Sequence, residues 1–305
     1  MGGPDRPRRV IGIVNAAAGP GLSKARFMEI RQSLHGEPFG PVYLTLRRGH
    51  AEEWARTFRN EAGYLVIGGD GTLHEVVSGM EIRNQAVAVV PLGTATSLAR
   101  DLGDPTLADA CGGIETGRRG KLDLVAVIMR RGDGSVRRCR SVSSVAVGLP
   151  VEVARKAVRW GHNLGPLAYP VAALAAGLRP PRFEVSVRYD RGRWTRKTVA
   201  GFLAGNTRHV MSVRIFPDAS PFDGRMVVLE LVPGFLRLGL QGLSVLTRTR
   251  LYESAKPLAA RRVSVLFGAP RPVAVDGEIY DGVVRVELRM LPGGLTIFMP
   301  TGAHA

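Results

Sequence analysis

The stretch Tyr64-Leu-Val-Ile-Gly-Gly-Asp-Gly-Thr72 joins a short apolar run to a glycine-rich turn. Apolar residues then recur at helical spacing from Leu73 to Met80. This order predicts a buried strand, a turn and a helix, a geometry that presents backbone N–H groups to a phosphate. Because glycine has no Cβ atom, the turn can take positive φ and approach a ligand closely. An ordinary turn of the same composition is the alternative interpretation.

Residues 1–122 alternate between predicted strands and helices. Such alternation predicts a parallel, doubly wound α/β sheet, in which ligands lie at the carboxyl ends of the strands. The predicted strands are 10–14, 41–46, 65–67 and 86–90, and the predicted helices are 23–34, 50–60, 73–80 and 98–102, with Ser23 as an N-cap.

Residues 123–289 are dominated by short strand-like runs and predict an antiparallel β-sandwich domain. Turn residues at 131–134 and 190–192 each separate two such runs, and they predict hairpins. Two helical stretches are predicted within residues 151–178. The chain therefore combines an α/β domain with a β domain.

The apolar run 164–178 is the longest candidate for a membrane contact. It is too short to span a bilayer, and Pro166 and Pro170 interrupt it. Its composition favours a helix in the core, and shallow insertion at a membrane surface is the alternative.

The chain carries 42 Lys and Arg against 26 Asp and Glu, a formal net charge of +16. This excess predicts anionic partners such as nucleotide phosphates or an anionic membrane surface, although an arginine-rich genome would give the same composition. Cys111 and Cys139 have no partner at metal-ligand spacing, which indicates a reduced, cytosolic chain with both residues in the core. Residues 1–9 contain no apolar segment, so no signal peptide is expected.

Two further motifs carry candidate chemistry. Pro91-Leu-Gly-Thr-Ala-Thr-Ser-Leu-Ala-Arg100 is a second glycine turn, whose hydroxyl groups can bond phosphate oxygens. Asp276 and Glu278 lie two residues apart at a predicted strand end, and either could act as a general base. Asp70 lies inside the first turn, where a carboxylate beside a polyphosphate needs a cation or a donor between them. We therefore expect Asp70 to act on a nucleotide through Mg²⁺ or hydrogen bonding.

In this order, the two glycine turns and Asp276-Gly-Glu278 resemble the diacylglycerol kinase catalytic-domain family. The resemblance runs over nearly the whole chain, particularly to the bacterial soluble lipid kinases, and the chain is also similar to sphingosine kinase-like proteins. Further elements that resemble the family are Thr45 with Gly49-His-Ala51, Leu164-Gly-Pro-Leu-Ala-Tyr169, Gly205-Asn206, Pro217-Asp-Ala219 and Phe222-Asp-Gly224.

The resemblance implies an ATP-dependent lipid kinase that uses Mg²⁺ and has an NAD kinase/diacylglycerol kinase-like fold. Residues 1–122 are then the ATP-binding catalytic domain, to which residues 290–305 return, and residues 123–289 are the lipid-substrate domain. The implied partners are a lipid acceptor and an anionic membrane, to whose cytoplasmic side the protein binds peripherally. Nucleic acid is not expected, and a homodimer stays open.

The resemblance also assigns roles to residues. The catalytic candidates are Asp276, Glu278 and Asp70. A second-domain Mg²⁺ site is implied from the carboxylate of Asp223 and the backbone carbonyls of Ser220 and Arg225. The nucleotide-binding candidates are Asn15, Thr45, Gly68, Gly69, Asp70, Gly71, Thr72, Glu75, Gly93 and Thr94.

Several positions depart from the family pattern. The first loop, Asn15-Ala-Ala-Ala-Gly19, lacks the usual proline, and Thr96-Ser97 stands where Asn-Asp is usual. Phe222 replaces the first residue of an Asp-Asp-Gly element. A catalytically weak protein that binds lipid or nucleotide is therefore one alternative function. An NAD kinase-like enzyme, which shares the Gly-Gly-Asp-Gly motif, is the other.

Overall fold

The computed structural model describes residues 8–16, 22–92, 96–164, 167–210, 213–234 and 257–301. The chain divides into two compact units. The first unit comprises Met1–Leu124, His209–Val213 and Pro292–Ala305, and the second comprises Val125–Arg208 and Arg214–Leu291. The assignment of residues 209–213 to the first unit was not predicted.

The helices and strands alternate along the first part of the chain. They are β1 (Val10–Asn15), α1 (Lys24–Ser33), β2 (Phe39–Thr45), α2 (His50–Thr57), β3 (Gly63–Gly68), α3 (Asp70–Gly79), β4 (Ala86–Pro91), α4 (Ser97–Asp101) and α5 (Leu107–Glu115).

The remaining elements are mostly strands. They are β5 (Arg119–Arg131), β6 (Val136–Ser141), β7 (Ser144–Gly148), α6 (Leu149–Leu164), α7 (Ala168–Leu178), β8 (Phe183–Tyr189), β9 (Thr195–Val199), β10 (Gly201–Gly205), β11 (His209–Val210), β12 (Val213–Arg214), β13 (Met226–Leu231), β14 (Leu258–Ala260), β15 (Arg262–Val275) and β16 (Glu278–Phe298).

The sheet of the first unit is parallel, with the strand order β2-β1-β3-β4. Strands β1 and β3 are buried over nearly their whole length, as expected for a parallel sheet that is covered on both faces. All four predicted strands and all four predicted helices of this region are present. The predicted α/β class of this part of the chain is confirmed.

Two helix starts show how local sequence sets the helix boundaries. Ser23 caps α1 as predicted, because its hydroxyl accepts the Arg26 N–H at 3.1 Å. Helix α5 was not predicted, although Thr106 and Asp109 form a reciprocal capping box at its start. The Thr-x-x-Asp spacing is therefore a helix-start pattern from which α5 could have been predicted.

The end of the chain completes the first unit. Thr296 and Ile297 of β16 pair in parallel with Ala86 and Val87 of β4. The buried carboxylate of Asp123 accepts the backbone N–H of Gly293 at 2.7 Å, and Lys121 Nζ donates to the Thr296 hydroxyl at 2.8 Å. These bonds hold the returning segment in place.

Residues 209–213 are held to the first unit by an acid–imidazole contact. Asp101 Oδ1 lies 2.7 Å from His209 Nδ1, and the Asp101 side chain is only 2% exposed. Strands β11 and β12 pair with each other as a separate two-stranded sheet.

The second unit is built from antiparallel strands around one apolar core. Both predicted hairpins are confirmed, since β5 pairs with β6 and β8 pairs with β9 in antiparallel register. Strand β15 pairs with β8 through residues 263–267 and with β7 through residues 273–275, with a register shift between these parts. Strand β15 therefore takes part in both pairings. Its buried side chains belong to one apolar core together with those of β5, β10 and β13.

The two helices predicted within 151–178 are α6 and α7, but the expected core position of the run 164–178 is wrong. Leu167, Leu174 and Leu178 are 63%, 65% and 58% exposed, because α7 packs through its alanines. Among the described residues, no helix is both long enough and apolar enough to cross a membrane.

We expect Gly63 to be indispensable for the pairing of β3 with β4. A Cβ atom at this position would lie 1.9 Å from the carbonyl oxygen of Ala86, so Gly63→Ala should lower the free energy of unfolding by about 1–3 kcal/mol. Urea unfolding followed by circular dichroism measures this loss.

Gly268→Ala in β15 is the matched control. The nearest atom to its new Cβ would be 3.9 Å away, so the stability should stay constant or rise by up to about 1 kcal/mol. Equal losses for the two variants would show that the close approach at Gly63 does not limit stability.

Candidate functional site

The candidate nucleotide residues of the first unit lie at the carboxyl ends of its strands. Asn15 ends β1, Thr45 ends β2 and Gly68 ends β3, and Asn15 and Thr45 are register partners. The strand order reverses at β1, with β2 on one side and β3 on the other, so this is the topological switch point where open α/β sheets bind ligands. The Asn15 amide donates to the Thr72 hydroxyl at 2.9 Å, which ties the end of β1 to the glycine turn.

The glycine turn is shorter than predicted. Helix α3 begins at Asp70, and its N-cap Gly69 has φ −99° and ψ −175°, which is extended backbone. Gly68 and Gly69 do not take the positive φ that glycine permits. Gly68 is instead required by packing, because a Cβ atom there would lie 2.8 Å from the Thr72 hydroxyl oxygen. Gly71 and Thr72 therefore belong to the first turn of a helix, whose N–H groups point towards the strand ends.

The Asp70 carboxylate connects the two glycine turns. Its oxygens accept the Ser97 N–H at 2.9 and 3.0 Å and the Ser97 hydroxyl at 2.6 Å. Ser97 is the first residue of α4, so one side chain joins the start of α3 to the start of α4. In the sequence, Ser97 stood out only as a departure from the family pattern, and this contact was not predicted.

Glu75 holds the start of α2. Its carboxylate accepts the backbone N–H groups of Gly49 and Ala51 at 2.7 and 3.1 Å. Gly49 is the N-cap of α2 and has φ +81°, which only glycine adopts readily. Glu75 thus positions the loop that follows Thr45. Thr45 itself is buried.

The second glycine turn is only partly described. Gly93 and Thr94 lie outside the described residues. Before them, the Leu92 N–H donates to the Gly68 carbonyl at 3.1 Å, so the turn starts against the end of β3.

Asp276 lies in the second unit, in a two-residue turn between β15 and β16. Asp276 and Gly277 have φ +49° and +91°, which identifies a type I′ hairpin turn. The Asp276 side chain is nevertheless not solvated, because the residue is only 4% exposed.

Five hydrogen bonds from the loop between β6 and β7 converge on the Asp276 carboxylate. The donors are the Ser141 hydroxyl at 2.8 Å, the N–H groups of Val142, Ser143 and Ser144 at 2.9 Å each, and the Ser143 hydroxyl at 3.0 Å. Four of these donors bind Oδ1, whereas Oδ2 accepts only the Val142 N–H among the hydrogen bonds named here. Oδ1 is therefore saturated, because a carboxylate oxygen offers about two lone-pair positions. Its neighbour Glu278 opens β16 and is partly exposed. The two carboxylates therefore have different environments.

The candidate cation ligands at 220–225 form a local turn. Asp223 Oδ1 accepts the Arg225 N–H at 2.9 Å, and the Ser220 hydroxyl accepts the Phe222 N–H at 3.3 Å. Across the described ranges, no three His, Cys, Asp or Glu side chains gather as a metal site. One carboxylate that already accepts a backbone N–H is a weak donor set for Mg²⁺. This ion site stays a prediction, and no step below uses it.

The cysteines differ in their surroundings. Cys139 is buried, as predicted, whereas Cys111 is partly buried beside the core of the first unit. Burial raises the pKa of the Cys111 thiol to about 11, so it stays protonated at neutral pH. Neither residue contributes to the candidate sites.

We expect Asp70→Asn to destabilise the first unit. The amide keeps the shape of the side chain but sets an NH₂ group against the donors of Ser97, which should cost about 2 kcal/mol. Asp133→Asn is the matched control, because that exposed carboxylate accepts hydrogen bonds within its own turn, among them the Ser135 N–H at 2.8 Å. Equal unfolding midpoints for the two variants in urea would show that the Asp70 contact contributes no stability.

Residues 9–129 of the chain match the family model of the diacylglycerol kinase catalytic domain. The diacylglycerol kinase of Staphylococcus carnosus is 25% identical over 303 residues, which cover 94% of this chain and 94% of that protein. An uncharacterized protein of Synechocystis sp. is 29% identical over 254 residues. That match covers 77% of this chain and spans about half, 54%, of the Synechocystis protein.

Solved structures share the fold at low identity. A diacylglycerol kinase from Bacillus anthracis has a TM-score of 0.74 at 20% identity and covers 96% of this chain and 97% of its own. Yeast NADH kinase in complex with NADH has a TM-score of 0.60 at 14% identity and covers 99% of this chain and 85% of its own. The predicted two-part fold is therefore confirmed, while identities this low say nothing of the substrate.

Proposed function

Because residues 9–129 match the diacylglycerol kinase catalytic domain, we propose that this protein is a lipid kinase that transfers the γ-phosphoryl group of ATP to a hydroxyl of a lipid such as diacylglycerol. One observation carries the nucleotide part of the proposal. Asn15, Thr45 and the turn at 68–72 meet at the switch point of a parallel sheet, where the start of α3 offers backbone donors to phosphate.

The nucleotide would be held mainly by backbone and hydroxyl groups. Gly68, Gly69 and Gly71 leave room for close approach, and the N-terminus of α3 favours negative charge. We assign Asp70 an indirect role, since its carboxylate fixes the second glycine turn through Ser97. Gly93 and Thr94 of that turn are proposed as further phosphate contacts.

Mg²⁺, when bound to ATP, would neutralise charge on the transferred phosphoryl group. The described residues offer no cluster of acidic or histidine ligands, so phosphate oxygens and water would supply most of its coordination. The contribution of the chain is to place and orient the phosphates.

Glu278 is the proposed general base. Asp276 is buried and already accepts five hydrogen bonds from the loop between β6 and β7, four of them on Oδ1, so we assign it a positioning role. Its role is to fix the loop between β6 and β7 against the hairpin that carries Glu278. Glu278 would accept the proton of the lipid hydroxyl as the oxygen attacks the γ-phosphorus.

An NAD kinase-like enzyme and a catalytically weak binding protein are the competing functions. The fold is shared with yeast NADH kinase, but the relative from Staphylococcus carnosus named diacylglycerol kinase matches this chain along nearly its whole length. This match favours the lipid acceptor.

The deciding experiment offers the protein labelled ATP with a panel of acceptors. The panel contains diacylglycerol, phosphatidylglycerol, a sphingoid base and NAD, each with and without Mg²⁺. We expect Mg²⁺-dependent labelling of a lipid and none of NAD. Labelling of NAD alone would replace the proposal with the NAD kinase function. Labelling of nothing by a folded protein that binds ATP would favour the silent binder.

Two amide substitutions separate the base from the residue that positions it. Glu278→Gln should lower kcat by about 10²–10⁴-fold while leaving ATP affinity unchanged, because the amide cannot accept the proton. Asp276→Asn should lower the free energy of unfolding by about 1–3 kcal/mol, because its NH₂ group would face at least the Val142 N–H, which Oδ2 now accepts.

Glu184→Gln is the control for a change of charge alone, since Glu184 is exposed and paired with exposed Arg196. A Glu278→Gln protein with the parent rate would refute the assignment of the base. An Asp276→Asn protein with parent stability would refute the positioning role.

A further inference from the structure

Helix α7 has its large apolar side chains on the outside. Ala168, Ala172 and Ala176 are at most 2% exposed; the first two pack with Ala157 of α6, and Ala176 packs with Leu149 and Ala200. The opposite side of the helix, which we call the α7 outer face, consists of large side chains. It is formed by Leu167, Val171, Leu174 and Leu178, which are 63%, 40%, 65% and 58% exposed.

This arrangement reverses that of an ordinary surface helix. A surface helix buries its large apolar side chains and exposes polar ones. The outer-face residues follow one another at intervals of four, three and four, so they form one stripe. No Asp, Glu, Lys or Arg occurs between Arg159 and Arg179. A continuous apolar stripe of this kind marks an interaction surface.

Basic residues occur on the neighbouring helix α6 and just after the end of α7. Helix α6 carries Arg155, Lys156 and Arg159, and its sole acidic residue is Glu152 in the first turn. Arg155 is paired with Asp281, whereas Arg159 is exposed beside Val158, which is 76% exposed. Arg179 and Arg182 follow the end of α7. Apolar side chains flanked by cations complement a bilayer that carries anionic headgroups.

We propose that the α7 outer face docks in the plane of an anionic lipid bilayer, with the basic side chains of α6 on its headgroups. The inference deepens the proposed lipid kinase and rests on it for the presence of a membrane-borne substrate. A helix of 11 residues is about 16 Å long, which suits shallow insertion beneath the headgroups.

Charge favours a membrane over a second copy of the chain. In an isologous dimer through this face, the cations of α6 from both copies would border one interface with few acidic partners. Anionic headgroups remove that repulsion, and they also attract the net charge of +16.

The test measures binding to vesicles by co-sedimentation. We expect the parent protein to bind vesicles that contain phosphatidylglycerol, and to bind pure phosphatidylcholine vesicles weakly. Leu174→Glu and Leu178→Glu should each lower the partition coefficient on both vesicles by at least about tenfold, because a buried leucine is lost. Arg159→Glu should lower binding about tenfold on anionic vesicles alone.

Met28→Glu is the matched control. Met28 is 40% exposed on α1, in the first unit, so this variant should bind vesicles like the parent. Circular dichroism checks that each variant is folded, and Leu178→Gln serves if a glutamate disturbs α7. The docking proposal is overturned if the Leu174 and Leu178 variants bind vesicles as Met28→Glu does.

If something other than a membrane occupies the α7 outer face, the same variants give different results. A parent dimer that Leu174→Glu converts to a monomer, with unchanged vesicle binding, would assign the face to a second copy. A lowered unfolding midpoint of Leu174→Glu with unchanged vesicle binding would assign it to residues 235–256, which lie outside the described part of the chain. Either result overturns the membrane assignment.

The kinase and the docking surface fail separately. If the parent binds anionic vesicles through α7 but phosphorylates no lipid, the proposed function falls and the docking surface stands. If the parent phosphorylates lipid and the α7 variants bind vesicles normally, the docking surface falls and the kinase stands.

Discussion

A buried carboxylate must receive hydrogen bonds, because an unpaired charge away from water is costly. This chain meets the requirement at the buried Asp276, and the half-buried carboxylates of Asp70 and Glu75 also accept hydrogen bonds from neighbouring loops. Asp70 accepts from Ser97, Glu75 from the start of α2, and Asp276 from the loop between β6 and β7. Each carboxylate therefore holds a loop in place through hydrogen bonds. Most acidic residues at the candidate sites therefore have a structural role in positioning loops, and Glu278 is the one proposed to take part in proton transfer.

Much of the fold could be predicted because it depends on local patterns. Apolar runs before turns predicted β1 and β3, and the turn residues predicted the hairpins of β5 with β6 and β8 with β9. The position of α7 was predicted wrongly for a physical reason. Composition shows how apolar a helix is, but only packing shows whether alanines or leucines face inward, and here alanines do.

The candidate site was predictable as a set of residues but not as a set of roles. The sequence indicated that Asn15 and the glycine turn belong together, and the structure joins Asn15 to Thr72. It could not distinguish Asp276 from Glu278, since both are carboxylates in one short motif. Their difference arises from Ser141 to Ser144, more than 130 residues earlier in the chain. Contacts at that separation are set by tertiary structure, which a motif does not encode.

Because β16 lies near the end of the chain, it determines when the first unit can be completed during translation. The neighbour of β4 in the sheet is supplied by Thr296 and Ile297, more than 200 residues after Ala86. A nascent chain therefore exposes an open edge of β4 for most of its translation, and such edges invite pairing with other chains. The second unit has its strands available earlier, apart from the first part of β16. In the cell, the first unit to be translated is thus the last to be completed, and its exposed edge is a site that a chaperone would need to protect.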